Sequence, residues 1–383
     1  MIPAKVFEKT LLSFFAPVRP YLDDPSVSEI MINGPERIYI ERKGVLSLVN
    51  ARFESHEALT AAVCNLSQYV GKPVSAARPI LEGRMPDGSR VEAILPPVAP
   101  DGPHVSIRRF FKETLTIARL VEMDALTASA AEALRAFVVG KCNIVVAGGT
   151  GTGKTSMLNA LSGFIPDGER VVVIEDSREV QFHKPHVVQL EARPADANGD
   201  GAVTIRDIFR ATLRMRPDRV VVGEIRGGEA LDIVQAMTSG HGGCMGTLHA
   251  TYPRDTLTRM ETMAMMSDVE MPLAAMRAQI GSGIQIIVQV ARLEDGSRKV
   301  THVTEVLGFD AATQAYLLQD LYVRRYFGRT NDNRVPSRLV ATGVMPACKP
   351  QLDQHGVSLP PELVRRGAVD ERFSNEVECH ASF

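Results

Sequence analysis

Residues 148–155 read GGTGTGKT, a run of glycines and threonines ending in one lysine and one hydroxyl. Glycines without a Cβ let backbone N–H groups curl around phosphate oxygens without clashes. A helix that starts at the end of such a loop adds partial positive charge from its N-terminus. Lys154 can then reach the β- and γ-phosphates, and the Thr155 hydroxyl can ligate Mg²⁺. A chance glycine-rich turn would lack the flanking elements this chemistry needs. Here the apolar run Asn143–Ala147 reads as a strand before the loop and Thr155–Leu161 as a helix after it. Gly148, Gly149, Thr150, Gly151, Thr152, Gly153, Lys154 and Thr155 are therefore expected to bind ATP, with Mg²⁺ at Thr155.

Hydrolysis also needs a group that positions or deprotonates water. The run RVVVGE at 219–224 ends in Glu224, and a carboxylate there sits at the strand end where open α/β folds bind ligands. Glu224 is expected to orient the attacking water or to hold it beside Mg²⁺. The alternative is a surface carboxylate starting the helix after Arg226. A second apolar run, VVVIE at 171–175, is followed by Asp176 and Glu179, so Glu175, Asp176 and Glu179 gather at one strand end. They either serve Mg²⁺ and water or cap the next turn. His241 and His249 bracket a glycine-rich turn and the run CMGTLH. With Cys244 they offer a zinc-like spacing without an evident fourth ligand. Otherwise they are satisfied structural histidines, or imidazoles that sense a γ-phosphate.

The elements that must position these groups are legible in outline. Apolar strands at 143–147, 171–175, 219–223 and 244–249 alternate with helical segments, which implies a parallel sheet covered by helices. A hairpin turning at Asp295-Gly296 closes that domain. Upstream, 27–49 is β-like, with turns at Asn33-Gly34-Pro35 and Lys43-Gly44. A helix over 56–70 and a hairpin at Asp87-Gly88 complete a small α+β domain. Val6, Phe7, Leu11, Leu12, Phe14 and Phe15 give an initial helix over 1–22 one wide apolar face, packed on its own domain or docking a partner. The boundaries read as 1–112, 113–325, and a polar, partly mobile extension over 326–383.

Composition limits the function. The chain has 383 residues, 45% apolar and 23% charged, with a formal net charge of −2. That is ordinary globular composition without a global pull toward nucleic acid. Five scattered cysteines without a C-x-x-C pair argue against a disulfide framework. No run approaches the ~18 continuous apolar residues of a membrane span, so a cytoplasmic protein is expected.

In order and spacing, GGTGTGKT, IEDSREVQF and MRPDRVVVGEIRGGEALDIVQAMTSGHGGCMGTLHA resemble the Walker A, Asp box, Walker B and His box of type II/IV secretion ATPases. The nearest look is to the CpaF/TadA branch of Tad (Flp) pilus systems, related to VirB11 ATPases. The resemblance spans about residues 25–325. It implies a RecA-like P-loop NTPase domain of α/β class behind the smaller α+β domain. Glu224 falls on the Walker B glutamate and Glu179 on the acidic partner of the Asp box. His241 and His249 fall on the His-box positions, and Arg226 on the arginine that follows Walker B. Arginines of the N-terminal domain can complete the nucleotide site in this family, and Arg84, Arg90, Arg108 and Arg109 are the candidates here. Because Arg108 and Arg109 alternate on a strand, one of the two is expected to face nucleotide. The resemblance further implies a homo-hexamer at the bacterial inner membrane, working on a platform protein and touching the membrane through partners. A VirB11-like conjugation or secretion ATPase is the alternative within the family. A low-turnover regulatory subunit and a small-molecule kinase are the alternatives outside it.

Overall fold

The computed structural model describes residues 10–42, 44–110, 115–195, 199–330 and 334–365. The start of the expected first helix, Lys43, Cys379 and the tail beyond 365 lie outside these. The chain divides into two units, Met1–Glu113 and Thr114–Phe383.

The first unit is an antiparallel sheet with strand order β3-β2-β1-β6-β5-β4. The strands are β1 (Val27–Asn33), β2 (Arg37–Arg42), β3 (Val45–Val49), β4 (Ile80–Arg84), β5 (Arg90–Ile94) and β6 (His104–Arg108). Alternation sends Ile30, Ile32, Ile38, Ile40, Val91, Ala93, Val105 and Ile107 into one core. Helix α3 (His56–Val70) adds Leu59, Ala62, Val63 and Leu66 to it. Ser55 caps that helix by accepting from the Ala58 N–H at 3.2 Å, and Gly71 ends it at φ +76°. Residues 10–14 form the described part of α1, followed by a 3-10 turn at Ala16–Val18 and α2 (Arg19–Asp23). Leu11, Phe15, Val18 and Leu22 from this segment are buried in the same core, while Phe14 is exposed and Val6 and Phe7 lie outside the described residues.

The second unit carries a nine-stranded sheet of order β15-β14-β13-β12-β7-β11-β10-β8-β9. The parallel strands are β7 (Ile144–Gly148), β8 (Val171–Glu175), β9 (Val187–Glu191), β10 (Arg219–Val222), β11 (Met245–Leu248) and β12 (Ile286–Arg292). The antiparallel flank is β13 (Arg298–Asp310), β14 (Ala315–Tyr326) and β15 (Ser337–Ala341). Both faces of the parallel part are covered, which is why its strands read as unbroken β-branched runs. Ile144, Val146 and Val173 face α5 (Ala128–Val139) and α6 (Lys154–Ser162) on one side. Val145, Ala147, Val172 and Ile174 face α7 (Ile205–Thr212), α8 (Glu229–Thr238), α9 (Pro253–Ala264) and α10 (Leu273–Gly283) on the other.

The described residues after 326 belong to this core rather than forming a separate extension. β15 pairs with β14, and Leu339, Leu352, Val357 and Leu363 join the apolar cluster of α5 and β7. Glu305, buried within β13, accepts the Ala347 and Cys348 N–H groups at 2.8 and 2.7 Å and fixes the entry to α11 (Lys349–Gln354). The polar composition hid this because a few well-spaced apolar residues carry the packing. Among the described residues, no helix is long and apolar enough to cross a membrane.

Candidate active site

The parallel register brings the carboxyl ends of β7, β8, β10 and β11 to one edge, where open α/β sheets bind ligands. The phosphate-type loop leaves β7 there. Gly148 admits no side chain, since a Cβ would stand 2.5 Å from the Val290 carbonyl. Gly151 and Gly153 take φ of +70° and +94°, which favour glycine, and Gly153 caps α6. The Gly149 carbonyl accepts both the Thr152 hydroxyl at 2.9 Å and the Lys154 ammonium at 2.9 Å. Glycine conformations, a helix N-terminus and a lysine folded back over the loop fit a polyphosphate.

Lys154 is buried, with Nζ 3.3 Å from His249 Nδ1 and 3.4 Å from Nε2. The same Nε2 approaches Glu224 Oε1 to 2.7 Å. That oxygen has no aligned hydrogen bond among the described residues. The other carboxylate oxygen, Oε2, accepts from Arg226 Nη2 at 2.5 Å, and Arg226 Nη1 reaches Asp176 at 3.3 Å. Burial works to raise the Glu224 pKa, but the Arg226 hydrogen bond and charge, then His249 and Lys154, outweigh it and leave it below the ordinary value. Burial and the nearby Lys154 charge lower that of His249, against the pull of Glu224. The structure thus brings Lys154, His249, Glu224 and Arg226 into one chain of contacts.

Other candidates are placed differently. Glu175 is buried, and its Oε1 accepts the N–H groups of Glu179 and Val180 at 2.8 and 2.7 Å. Burial pushes its pKa up to about 7. Gly223 passes so close that a Cβ there would lie 2.7 Å from Glu175 Cγ. Glu175 is therefore the anchor of the turn after β8, not an open metal ligand. Glu179 is half-buried, and it is Asp176 whose carboxylate meets Arg226. Among the described residues, no group of three or more acidic, histidine or cysteine side chains could cage a metal ion. Mg²⁺ typically keeps several waters and takes oxygens from substrate phosphates, and so needs no such cage.

His241 and His249 are not brought together. They flank β11, whose four residues separate them by roughly 13 Å of strand. His241 stands at the end opposite the phosphate loop, its N–H on the Ala236 carbonyl and its own carbonyl accepting the Cys244 thiol at 3.1 Å. A shared zinc site is excluded by that separation.

In the first unit, Arg84 stands opposite Arg90, and Arg90 opposite Arg108, in one cross-strand row. Buried Val91 and Ile107 alternate with this row, so it lies on the face away from the core. Arg109 is committed elsewhere. Its Nη1 donates to the carbonyls of Tyr21 at 2.8 Å and Asp24 at 3.3 Å, binding the N-terminal segment to β6. It is a brace, and of the pair only Arg108 is exposed on the sheet surface.

Sequence reasoning missed three supports. Thr247 donates to the Gly223 carbonyl at 2.6 Å and ties β11 to the start of the Glu224 turn. The buried Gln289 amide donates to the Ala250 and Thr251 carbonyls at 3.0 and 3.1 Å, fixing the loop after His249. Arg298 reaches the Gly151 carbonyl at 2.8 Å. Each acts across strands far apart in sequence, and no local pattern announces it.

Comparison with known proteins agrees with this geometry. The family model described as type II/IV secretion system protein matches residues 13–331. The conjugal transfer protein TrbB of Rhizobium radiobacter is 32% identical over 293 residues, covering 75% of this chain and 86% of the relative. The type IV secretion system protein PtlH of Bordetella pertussis is 32% identical over 301 residues, covering 72% and 88%. The ATPase DotB of Legionella pneumophila has a similar fold, with a TM-score of 0.54 and 20% identity over 81% of this chain and 82% of that one.

Proposed function

This chain belongs to the type II/IV secretion system protein family, and from that premise we propose that it is an ATP-hydrolysing ring motor of a bacterial secretion machine. The observation that carries the reading is the contact chain Lys154–His249–Glu224–Arg226 at the mouth of the GGTGTGKT loop. The loop N–H groups, the α6 N-terminus and Lys154 bind the phosphates. Glu224 stays ionised and orients water, and Arg226 fixes the direction of its carboxylate. The His249 ring touches both Lys154 and Glu224, where a γ-phosphate would displace contacts that it makes now. Mg²⁺, when bound, supplies charge neutralisation, with the Thr155 hydroxyl and Glu224 as the residues that would hold it. The Arg84, Arg90 and Arg108 row is proposed to recognise phosphate in the assembled motor. That reading rests on the motif resemblance; within the sheet Arg90 donates to Glu82 at 2.6 Å and Arg108 stands opposite Glu29.

The curated relatives carry conjugal-transfer and type IV secretion names, which favours a VirB11-like role in such a machine. Pilus assembly of the Tad (Flp) kind is the second reading and rests on the motif resemblance. A homo-hexamer acting on an inner-membrane platform protein is proposed for both. ATP turnover measured together with mass by light scattering tests the motor. We expect a nucleotide-favoured hexamer with modest turnover, and a monomer without measurable turnover would refute it. Neighbouring genes separate the two cargo readings: a relaxase and coupling protein against minor pilins.

A further inference from the structure

The β12–β13 hairpin places an arginine across the phosphate-binding loop. β12 pairs with β7 up to Val290 opposite Gly148, so the turn beyond it projects past the point where the loop begins. That turn is itself held, with the Ser297 N–H on Asp295 Oδ1 at 2.9 Å and the Leu293 N–H on the Ser297 carbonyl at 2.8 Å. Arg298, the first residue of β13, is thus delivered from a fixed hairpin. Its Nε donates to the Gly151 carbonyl at 2.8 Å, and its Cδ lies 3.4 Å from where a Cβ would stand on Gly153. The side chain therefore crosses the loop from one left-handed glycine to the next.

The consequence follows from the peptide group. A trans peptide is planar, so the Gly151 oxygen and the Thr152 N–H point in opposite directions. Drawing the oxygen toward Arg298 turns the Thr152 N–H away from it. Turning this peptide plane changes ψ at Gly151 and φ at Thr152; at Gly151, a glycine at φ +70°, no Cβ opposes the turn, so the restraint comes from Thr152 and from the Arg298 bond. A flipped peptide would present a carbonyl oxygen where a phosphate needs a donor. The loop's own bonds from Thr152 and Lys154 both converge on the Gly149 carbonyl, one peptide group removed from the Thr150 neighbour of Gly151. A hydrogen bond from a charged guanidinium is about twice as strong as a neutral one and opposes the flip.

We propose that Arg298 is a positioning residue for ATP binding, locking the Gly151–Thr152 peptide so that its N–H stays available to phosphate. The proposal depends on the ATPase reading of the loop. The test uses the full chain as native protein, Arg298→Met and Arg298→Lys. The affinity for a fluorescent ATP analogue, KM and kcat for ATP, and the unfolding temperature without nucleotide are measured for each. Arg298→Met is expected to weaken binding and raise KM about tenfold, with kcat held within about twofold. Arg298→Lys recovers part of the loss, because an ammonium still donates, and the nucleotide-free unfolding temperatures stay together. Native affinity in Arg298→Met overturns the proposal. So does a joint loss of stability and affinity that lysine fails to recover, since that marks a purely structural role. A native chain that binds no ATP sinks the parent reading and this one with it, and is recognised by its failure before any substitution.

Discussion

The two ends of β11 carry similar chemistry and treat it in opposite ways. At the amino end, Arg219 is fully buried and donates to Glu169 at 2.5 Å, with Lys141 3.7 Å from the same carboxylate. Gly243 closes over it so tightly that a Cβ would stand 2.4 Å from Arg219 Nη1. At the carboxyl end, Lys154, His249, Glu224 and Arg226 also form a chain of charges. There His249 and Arg226 remain partly exposed, and the Glu224 oxygen facing His249 lacks an aligned bond. One end is an ion pair sealed from solvent, with Arg219 Nη1 itself unbonded among the described residues, and it braces the starts of β8, β10 and β11. The other is a network with an opening, as a site that exchanges partners with a ligand must be.

Substitutions can break that comparison. Lys154→Ala is expected to lower ATP turnover by more than about a hundredfold, because the charge aimed at the phosphates is lost. Its unfolding curve should shift little, which a denaturant titration beside the activity assay would show. Arg219→Met should do the reverse, costing about 3 kcal/mol of stability by leaving Glu169 with only the 3.7 Å Lys141 contact beside a buried strand end. Chemical denaturation reads this, and loss of activity without loss of stability would show that the two ends had been assigned the wrong way round. The histidines sharpen the same contrast. His249→Ala should lower kcat about tenfold or more, while His241→Ala should stay within about twofold, when both are assayed at saturating ATP. Equal losses would mean that β11 does not separate their roles.

A smaller effect comes from Glu175, beneath the active edge. Its carboxyl rises from 4.5 to about 7 on folding, chiefly through burial. The folded state then binds more protons than the unfolded one between those values, so this group's contribution to stability falls as pH rises from about 4.5 to 7 and is flat above. Glu175→Gln keeps an oxygen for the Glu179 and Val180 N–H groups without the charge. It should be more stable than native protein at pH 8 by on the order of 1–3 kcal/mol and indistinguishable from it at pH 4. Melting curves at the two pH values check the sign, and a native advantage at pH 8 would show that the buried carboxylate is favoured as the anion.

What was legible in the sequence was what is determined locally. GGTGTGKT announces itself because the backbone conformations at Gly151 and Gly153 exclude most other residues. The runs VVVIE and RVVV read as parallel strands because both faces of those strands are covered. The path of the chain between elements was not legible. The strand between His241 and His249 was legible, but the sheet order that brings its carboxyl end, and with it only His249, beside the phosphate loop was not. Arg109 lies just past the end of β6, and its partner Tyr21 is 88 residues away, so strand alternation alone could not assign it. The segment after 326 read as an appendage, yet β15 extends the sheet and Leu352 and Leu363 reach the core through packing that no window of sequence contains.

The central claim, that Glu224 orients water at an ATP site formed by the GGTGTGKT loop, is tested most directly by single-turnover hydrolysis in Glu224→Gln beside its ATP affinity. ATP affinity should stay within about threefold of native while hydrolysis slows by about a hundredfold or more, because the amide keeps the shape but cannot act as the anion. Hydrolysis at the native rate in Glu224→Gln, with ATP bound, would contradict it.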